Sequence, residues 1–178
     1  MLIRAAVVAM VVTASGCGGG GSDVDEVFAK VMQRPDIEQT VASYTEMGAR
    51  IRERLAAEFG RTWEQVSDGG RAGCGDEYKV LDDVENRHLP RWSSKGNLPD
   101  DQWPRAEAIV GEVAEGYGFH KDPVILVNRQ GDHEVVYDKP DGAQVTFGTA
   151  VNTVLDVMTG CHLTVDAHRR GTPKAARR

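Results

Sequence analysis

Apolar positions along this chain change their period near residue 123, from the three-and-four spacing of helices to the alternation of strands. In the first half, Ile37, Val41, Tyr44, Met47 or Gly48, Ile51, Leu55 and Phe59 fall on one face, which predicts an amphipathic helix from about Asp36 to Phe59. The opposite face places Glu46 with Arg50 and Arg54 with Glu58, each four apart, as expected exposed pairs. Gly60 is the stop signal. A second helix is predicted from about Asp101 to Gly116, with Trp103, Ala106, Val110, Val113 and Tyr117 on its apolar face. Asp100 or Asp101 can cap it, and Pro104 is tolerated in its first turn. A shorter periodic piece, Val24, Val27, Phe28 and Val31, ends before Pro35.

Short strands are predicted at residues 124–128, 134–137, 144–147, 150–157 and 161–165, separated by turn residues at 130–132, 139–142 and 159–160. Such short links force neighbours to run antiparallel. Residues 87–93 offer a further strand, although Pro90 confines it to an edge or breaks it. The stretch 61–85 reads as irregular, with a glycine-rich loop over 68–75. The expected fold is α+β: a two-layer sandwich in which an antiparallel meander sheet carries two amphipathic helices on one face.

The amino terminus changes the picture. Met1 to Arg4 is a basic tip, Ala5 to Ala14 is apolar, and Ala14-Ser15-Gly16 places small residues directly before Cys17. That is the layout of a lipoprotein signal, in which the thiol of Cys17 takes a diacylglyceryl group before cleavage. The apolar run is about half the roughly 20 residues a membrane-spanning helix needs, and plain secretion is the other alternative. The domains expected are therefore a signal peptide (1–16), a lipidated glycine-rich tether (17–23), one folded domain (24–166) and a basic tail (167–178). The tail carries Arg169, Arg170, Lys174, Arg177 and Arg178; a disordered terminus is the favoured expectation, and attraction to anionic headgroups the other.

The chain bears a formal net charge of −6, and removing the signal with Arg4 deepens it. An acidic body is repelled by nucleic acid and argues against it as a partner. With Cys17 lipidated, Cys74 and Cys161 remain as a pair in a compartment that permits oxidation. A disulfide is the natural inference, with two buried thiols or a metal pair as the competing readings. Neither cysteine has a metal-ligand neighbour at the usual zinc spacing.

No catalytic motif emerges. His133-Glu134 superficially resembles H-E-x-x-H, but the second histidine is Tyr137 and the segment alternates as a strand. The glycines at 69–75 do not follow the phosphate-binding pattern, and are better understood as slack that lets Cys74 reach Cys161. Ser43, Ser67, Ser93 and Ser94 lack an activating context. The remaining histidines, His88, His120, His162 and His168, are scattered and expected to be exposed or merely hydrogen-bonded. Asp82, Asp83 and Glu85, or Asp100 and Asp101, can serve a glycosidase only if two carboxylates face each other across a cleft. Trp63 and Trp92 can stack on sugars or line an apolar pocket, whereas Trp103 belongs on the core stripe.

Several segments together resemble a known family. They are the Cys17 lipobox and tether, a helix ending in Gly60-Arg61-Thr62-Trp63, the lone mid-chain Cys74, the helix Ala108 to Gly118, and Thr159-Gly160-Cys161 before Leu163. The set is similar to the LppA-like lipoproteins of mycobacteria and related actinobacteria. The resemblance implies an α+β envelope lipoprotein with a bridge between Cys74 and Cys161, and it carries no activity across. The expectation is a non-enzymatic module without cofactor or metal, lipid-anchored on the outer face of the cytoplasmic membrane, that binds an envelope protein or small ligand. The alternatives are a wall-active hydrolase using an acid pair, or a lipid carrier with a large apolar cavity.

Overall fold

The computed structural model describes residues 21–174 and residue 176, so the expected signal segment and Cys17 lie outside the described residues. Within them, α1 (Gly21–Met32) and α2 (Ile37–Phe59) come first, followed by β1 (Glu64–Ser67), β2 (Gly70–Ala72) and a 3-10 turn at Asp76–Tyr78. Then come β3 (Val84–His88), β4 (Arg91–Lys95), α3 (Trp103–Glu115) and the strands β5 (Val124–Arg129), β6 (Asp132–Asp138), β7 (Gln144–Thr149) and β8 (Asn152–Met158). A short β9 (His162–Leu163) and α4 (Val165–Arg170) end the order.

β5 to β8 form the expected antiparallel meander, and the sheet continues beyond it through β4 to β1 without closing. Alternation decides the face: Val135, Phe147 and Leu155 stand opposite one another across β6, β7 and β8 and are all buried. Over this row lie Tyr44, Met47, Ile51 and Leu55 of α2 and Trp103, Ala106, Ile109, Val110 and Ala114 of α3, closing one main core. Trp103 stacks between His133 and Phe147, with ring centroids 5.0 and 5.2 Å apart. The helices thus cover one face of the sheet, as the periodicity predicts.

Local chemistry sets the boundaries. Asp36 caps α2, its side chain accepting from the Gln39 amide at 2.9 Å, and Gly60 ends the helix at φ 63°. α3 starts two residues later than expected and without an acidic cap, because Asp100 accepts instead from the Gly131 amide and meets His133. Arg54 reaches Glu112 of α3 rather than Glu58, and Glu58 meets Arg105 of α3, so these charges join the two helices instead of lining one. Glu46 and Arg50 pair as expected.

Pro90 breaks the predicted strand at 87–93. β3 and β4 both lie against β8, the first at His88 opposite Met158 and the second from Trp92 to Lys95, with the Leu89 amide bonded to the Val157 carbonyl at the bend. The proline thus falls where no ladder donor is required. Segments read as irregular hold β1 and β2, which are short and nearly all exposed. β5 is the free edge of the sheet and exposes Val124, Ile125 and Leu126; an extra residue at Leu126 shifts its register against β6, a bulge that blunts pairing at an edge.

A second, smaller core stands apart. Phe28 and Val31 of α1 pack on Tyr78, Leu81, Cys161, Leu163 and Ala167. The segment taken as a tail contributes to it: α4 is capped by Thr164, Arg170 pairs with Asp83 at 2.6 Å, and the Lys174 carbonyl accepts from the Asp82 amide. The ordered domain therefore extends past residue 166, and the tether reading of residues 21–23 gives way to the first turn of α1.

Candidate functional site

Cys74 and Cys161 are joined as a disulfide, with Cα atoms 5.8 Å apart. The bridge ties the glycine-rich loop to the strand that follows β8, and Arg34 reinforces the junction by donating to the Cys161 carbonyl at 2.7 Å and the Tyr78 hydroxyl at 3.1 Å. The residues after Thr159 are consequently fixed at the boundary between the two cores. Thr159 exchanges bonds with Arg87, through the Arg87 amide to its Oγ1 at 2.9 Å and its own amide to the Arg87 carbonyl.

Gly160 is required by a close approach. A Cβ there would fall well inside contact distance of the Asp141 carbonyl oxygen and 2.9 Å from its side-chain carboxyl carbon. The β6–β7 turn, Lys139-Pro140-Asp141-Gly142, therefore rests directly on the Gly160 backbone. This contact brings the Asp141 carboxylate beside His162, the residue after the bridged cysteine.

His162 is 2% exposed and faces three elements. Its Nδ1 lies 2.9 Å from the Pro35 carbonyl and 3.3 Å from Thr40 Oγ1, whose own proton goes to the Asp36 carbonyl. A carbonyl only accepts, so Nδ1 carries the proton and Nε2 of the neutral ring is left as a lone-pair acceptor. Nε2 has no hydrogen-bond partner among the described residues. It faces Asp141 Oδ2 at 3.8 Å, too far for a direct bond. Burial holds the imidazole pKa below its ordinary value, against the opposing pull of the Pro35 carbonyl and Asp141.

Lys139 completes the group. Its ammonium stands 3.9 Å from Asp141 Oδ2, donates to the Tyr117 carbonyl at 3.1 Å and lies over the rings of Tyr44 and Phe119. Asp141 Oδ1 is occupied by the Ala143 amide, which leaves Oδ2 turned toward His162 and Lys139. Burial, and then Asp141, push the Tyr44 phenol well above its usual range. Tyr44, Lys139, Asp141 and His162, together with Pro35, Gln39, Thr40, Ser43, Gly116 and Tyr117, line a cavity of about 430 Å³. On the other side of the same turn, Asp141 also lines a cavity of about 260 Å³ with Asn86, whose buried Oδ1 is likewise without a partner.

Other features singled out in the sequence lie elsewhere. His133 is a buried strand residue, bonded to Asn128 and Asp100, and among the described residues no cluster of three metal-ligating side chains forms. Trp92 lines an apolar cleft between α2 and the sheet with Tyr44, Leu89 and Leu155, beneath the Arg52 guanidinium at 3.8 Å. The cleft is about 180 Å³, close to the roughly 150 Å³ that accommodates a benzene ring, and far short of a fatty chain. The acids with displaced titration, Glu77, Asp100 and Glu112, are all shifted downward by hydrogen bonds, opposite to the rise a general acid needs. No described helix is long and apolar enough to cross a membrane.

In the sequence the two cysteines stand out as a pair and Thr159-Gly160-Cys161 as a segment, whereas His162 is one of several scattered histidines. Its one signal is position, directly after a cysteine that a bridge immobilises; Asp141 and Lys139 sit in a turn with no local mark of a site.

Comparison with known proteins agrees with this architecture. A family model described as "LppA: Lipoprotein confined to pathogenic Mycobacterium" matches residues 19–165. The crystal structure of the lipoprotein LppA from Mycobacterium tuberculosis superposes with a TM-score of 0.70 at 16% identity, covering 83% of this chain and 90% of that one. A DUF4853 family protein from Actinomyces odontolyticus superposes with a TM-score of 0.54 at 13% identity, covering 74% of this chain and 71% of that one. A search of curated proteins finds no match. The chain belongs to the LppA lipoprotein family.

Proposed function

We propose that the mature protein is an extracytoplasmic lipoprotein, held to the outer face of the cytoplasmic membrane through acylated Cys17, whose domain binds a small polar ligand without transforming it. The observation that carries the binding role is that His162, which lines the cavity, has a buried, unpartnered Nε2 that faces the Asp141 carboxylate at 3.8 Å. A buried polar atom without a partner costs about 1–3 kcal/mol. A cluster that keeps one and borders open space is a candidate binding site. The lipobox layout and the family's character as lipoproteins support the anchor; stable attachment takes more than one acyl chain, which triacylation of a cysteine would supply.

Native mass spectrometry of the mature protein extracted from membranes tests the binding role. The expected spectrum contains a stoichiometric small adduct, recovered chemically intact, that is lost in His162→Asn. Recovery of ligand-free protein alone, or turnover of the adduct during incubation, would contradict it. Fractionation tests the anchor: Cys17→Ser should move the protein from the membrane to the soluble fraction.

A further inference from the structure

We propose that the ligand of the His162 cavity is a neutral polyhydroxyl compound, a sugar or cyclitol, bound through adjacent hydroxyl groups that donate to His162 Nε2 and Asp141 Oδ2. This rests on the binding role proposed above and names the chemical class of its ligand. His162 Nε2 and Asp141 Oδ2 are two acceptors 3.8 Å apart. Two acceptors cannot bond each other, so Nε2 is left needing a donor from outside, and Oδ2, which Lys139 faces at 3.9 Å, can accept a second one. Neighbouring hydroxyls on one carbon ring are spaced to donate one to each.

The charges exclude the competing classes. Asp141 is balanced by Lys139 at 3.9 Å, and burial keeps His162 neutral, so the cluster has no net charge to offer an ion. An anion would meet the Asp141 carboxylate. A primary ammonium or a metal ion would meet the Lys139 ammonium, already committed to the Tyr117 carbonyl. One nitrogen and one carboxylate also fall short of a metal's ligand set.

The rest of the lining suits an uncharged polar guest. Gln39 and Ser43 on consecutive turns of α2 bring an amide and a hydroxyl able to donate and accept, and Thr40, whose proton goes to the Asp36 carbonyl, adds an acceptor. The half-buried Tyr117 ring and exposed Pro35 give apolar walls for the C–H face of a ring. Asn86 Oδ1, on the far side of the Asp141 turn, is a third acceptor in need of a donor, which extends the same preference into the neighbouring cavity.

Nitrogen-15 NMR of the histidine rings in the full mature chain, in detergent micelles, separates the outcomes. The probes are myo-inositol, D-glucose, D-galactose and D-mannose, their per-O-methylated forms, and ethylammonium and inorganic phosphate. At least one free polyol should shift the His162 resonances saturably at millimolar concentration, whereas its methylated form, which has the ring but no donors, should not. Asp141→Asn keeps the Oδ1 acceptor for Ala143 and replaces the second oxygen with a donor; His162→Asn keeps a donor for Pro35 and removes Nε2. Each should weaken binding at least about tenfold, read for both variants by isothermal titration calorimetry because His162→Asn removes the ring that NMR follows, as expected for loss of one hydrogen bond to a buried or charged acceptor. Undiminished binding in both variants, or equal binding of methylated sugars, overturns the proposal. If ethylammonium or phosphate alone shifts His162, the cavity binds but the ligand class is wrong; if no probe shifts it, the class proposal fails, and the binding role then stands or falls on the native adduct.

Discussion

The two cores are built from different materials. The main core joins a 23-residue helix, a 13-residue helix and strands of six and seven residues, each with the period its burial demands. The smaller core has a 12-residue helix, a 3-10 turn, a two-residue strand and a six-residue helix. Elements that short are not stable alone. They are held by the Cys74–Cys161 bridge, the Arg34 clamp and the Arg170–Asp83 pair. The His162 cavity lies on the seam: Tyr44 belongs to the main core, and His162 sits between Cys161 and Leu163 of the smaller one. A covalent cross-link therefore does for one side of the site what packing does for the other.

Breaking the link should separate the two regions. Replacing both Cys74 and Cys161 with Ala frees a loop spanned by 87 positions, for which chain entropy gives a loss of about 4–5 kcal/mol. Hydrogen exchange should show α1, β9 and α4 losing protection before β6, β7 and β8. Equal loss in both regions would show a single cooperative core. The converse substitution, Phe147→Ala, strikes the main core and should cost about 3–5 kcal/mol in denaturant unfolding, with both regions lost together.

Gly160→Ala sharpens the comparison at the seam. Its Cβ would press on the Asp141 backbone and carboxyl, so stability should fall by about 1–3 kcal/mol and the His162 resonances should move. An unchanged His162 environment would show that the Asp141 turn is not seated there. Asp36→Ala removes the α2 cap and should cost about 0.5–2 kcal/mol by thermal melting.

The smallest effect is with pH. The folded state holds the His162 pKa below the unfolded value of about 6.5. Above that value both states are neutral, and the stabilising difference is complete. As pH falls below it the unfolded chain takes up the proton first, so stability declines toward the folded pKa. Asp141 opposes this decline, whereas Arg34 and Lys139 reinforce it. The midpoint of thermal unfolding should drop more between pH 7 and pH 5 in the wild type than in His162→Asn; parallel profiles would contradict it.

Legibility in the sequence follows the same division. α2, α3 and the meander are evident because long elements bury one face and so must carry a period. β1 has every residue exposed, so no alternation marks it, and β9 is too short to show one. α4 hides among basic residues, although Thr164 and Gly171 bracket it as cap and stop. Arg54 and Glu58 have the spacing of an intrahelical pair, yet α3 offers each a different partner. Cys74 and Cys161 are legible as a pair because an oxidising compartment leaves few other uses for two cysteines. The site they position is not, since His162, Asp141 and Lys139 meet only through tertiary contact.

The protonation of His162 tests the central claim most directly. Two-dimensional nitrogen-15 NMR of the imidazole at pH 7, in oxidised and reduced protein, distinguishes the two ring nitrogens. A proton on Nδ1, a bare Nε2 and a pKa below the ordinary histidine value in the oxidised form, all lost on reduction, are the predicted result. A proton on Nε2, or the same spectrum in both redox forms, would contradict the account.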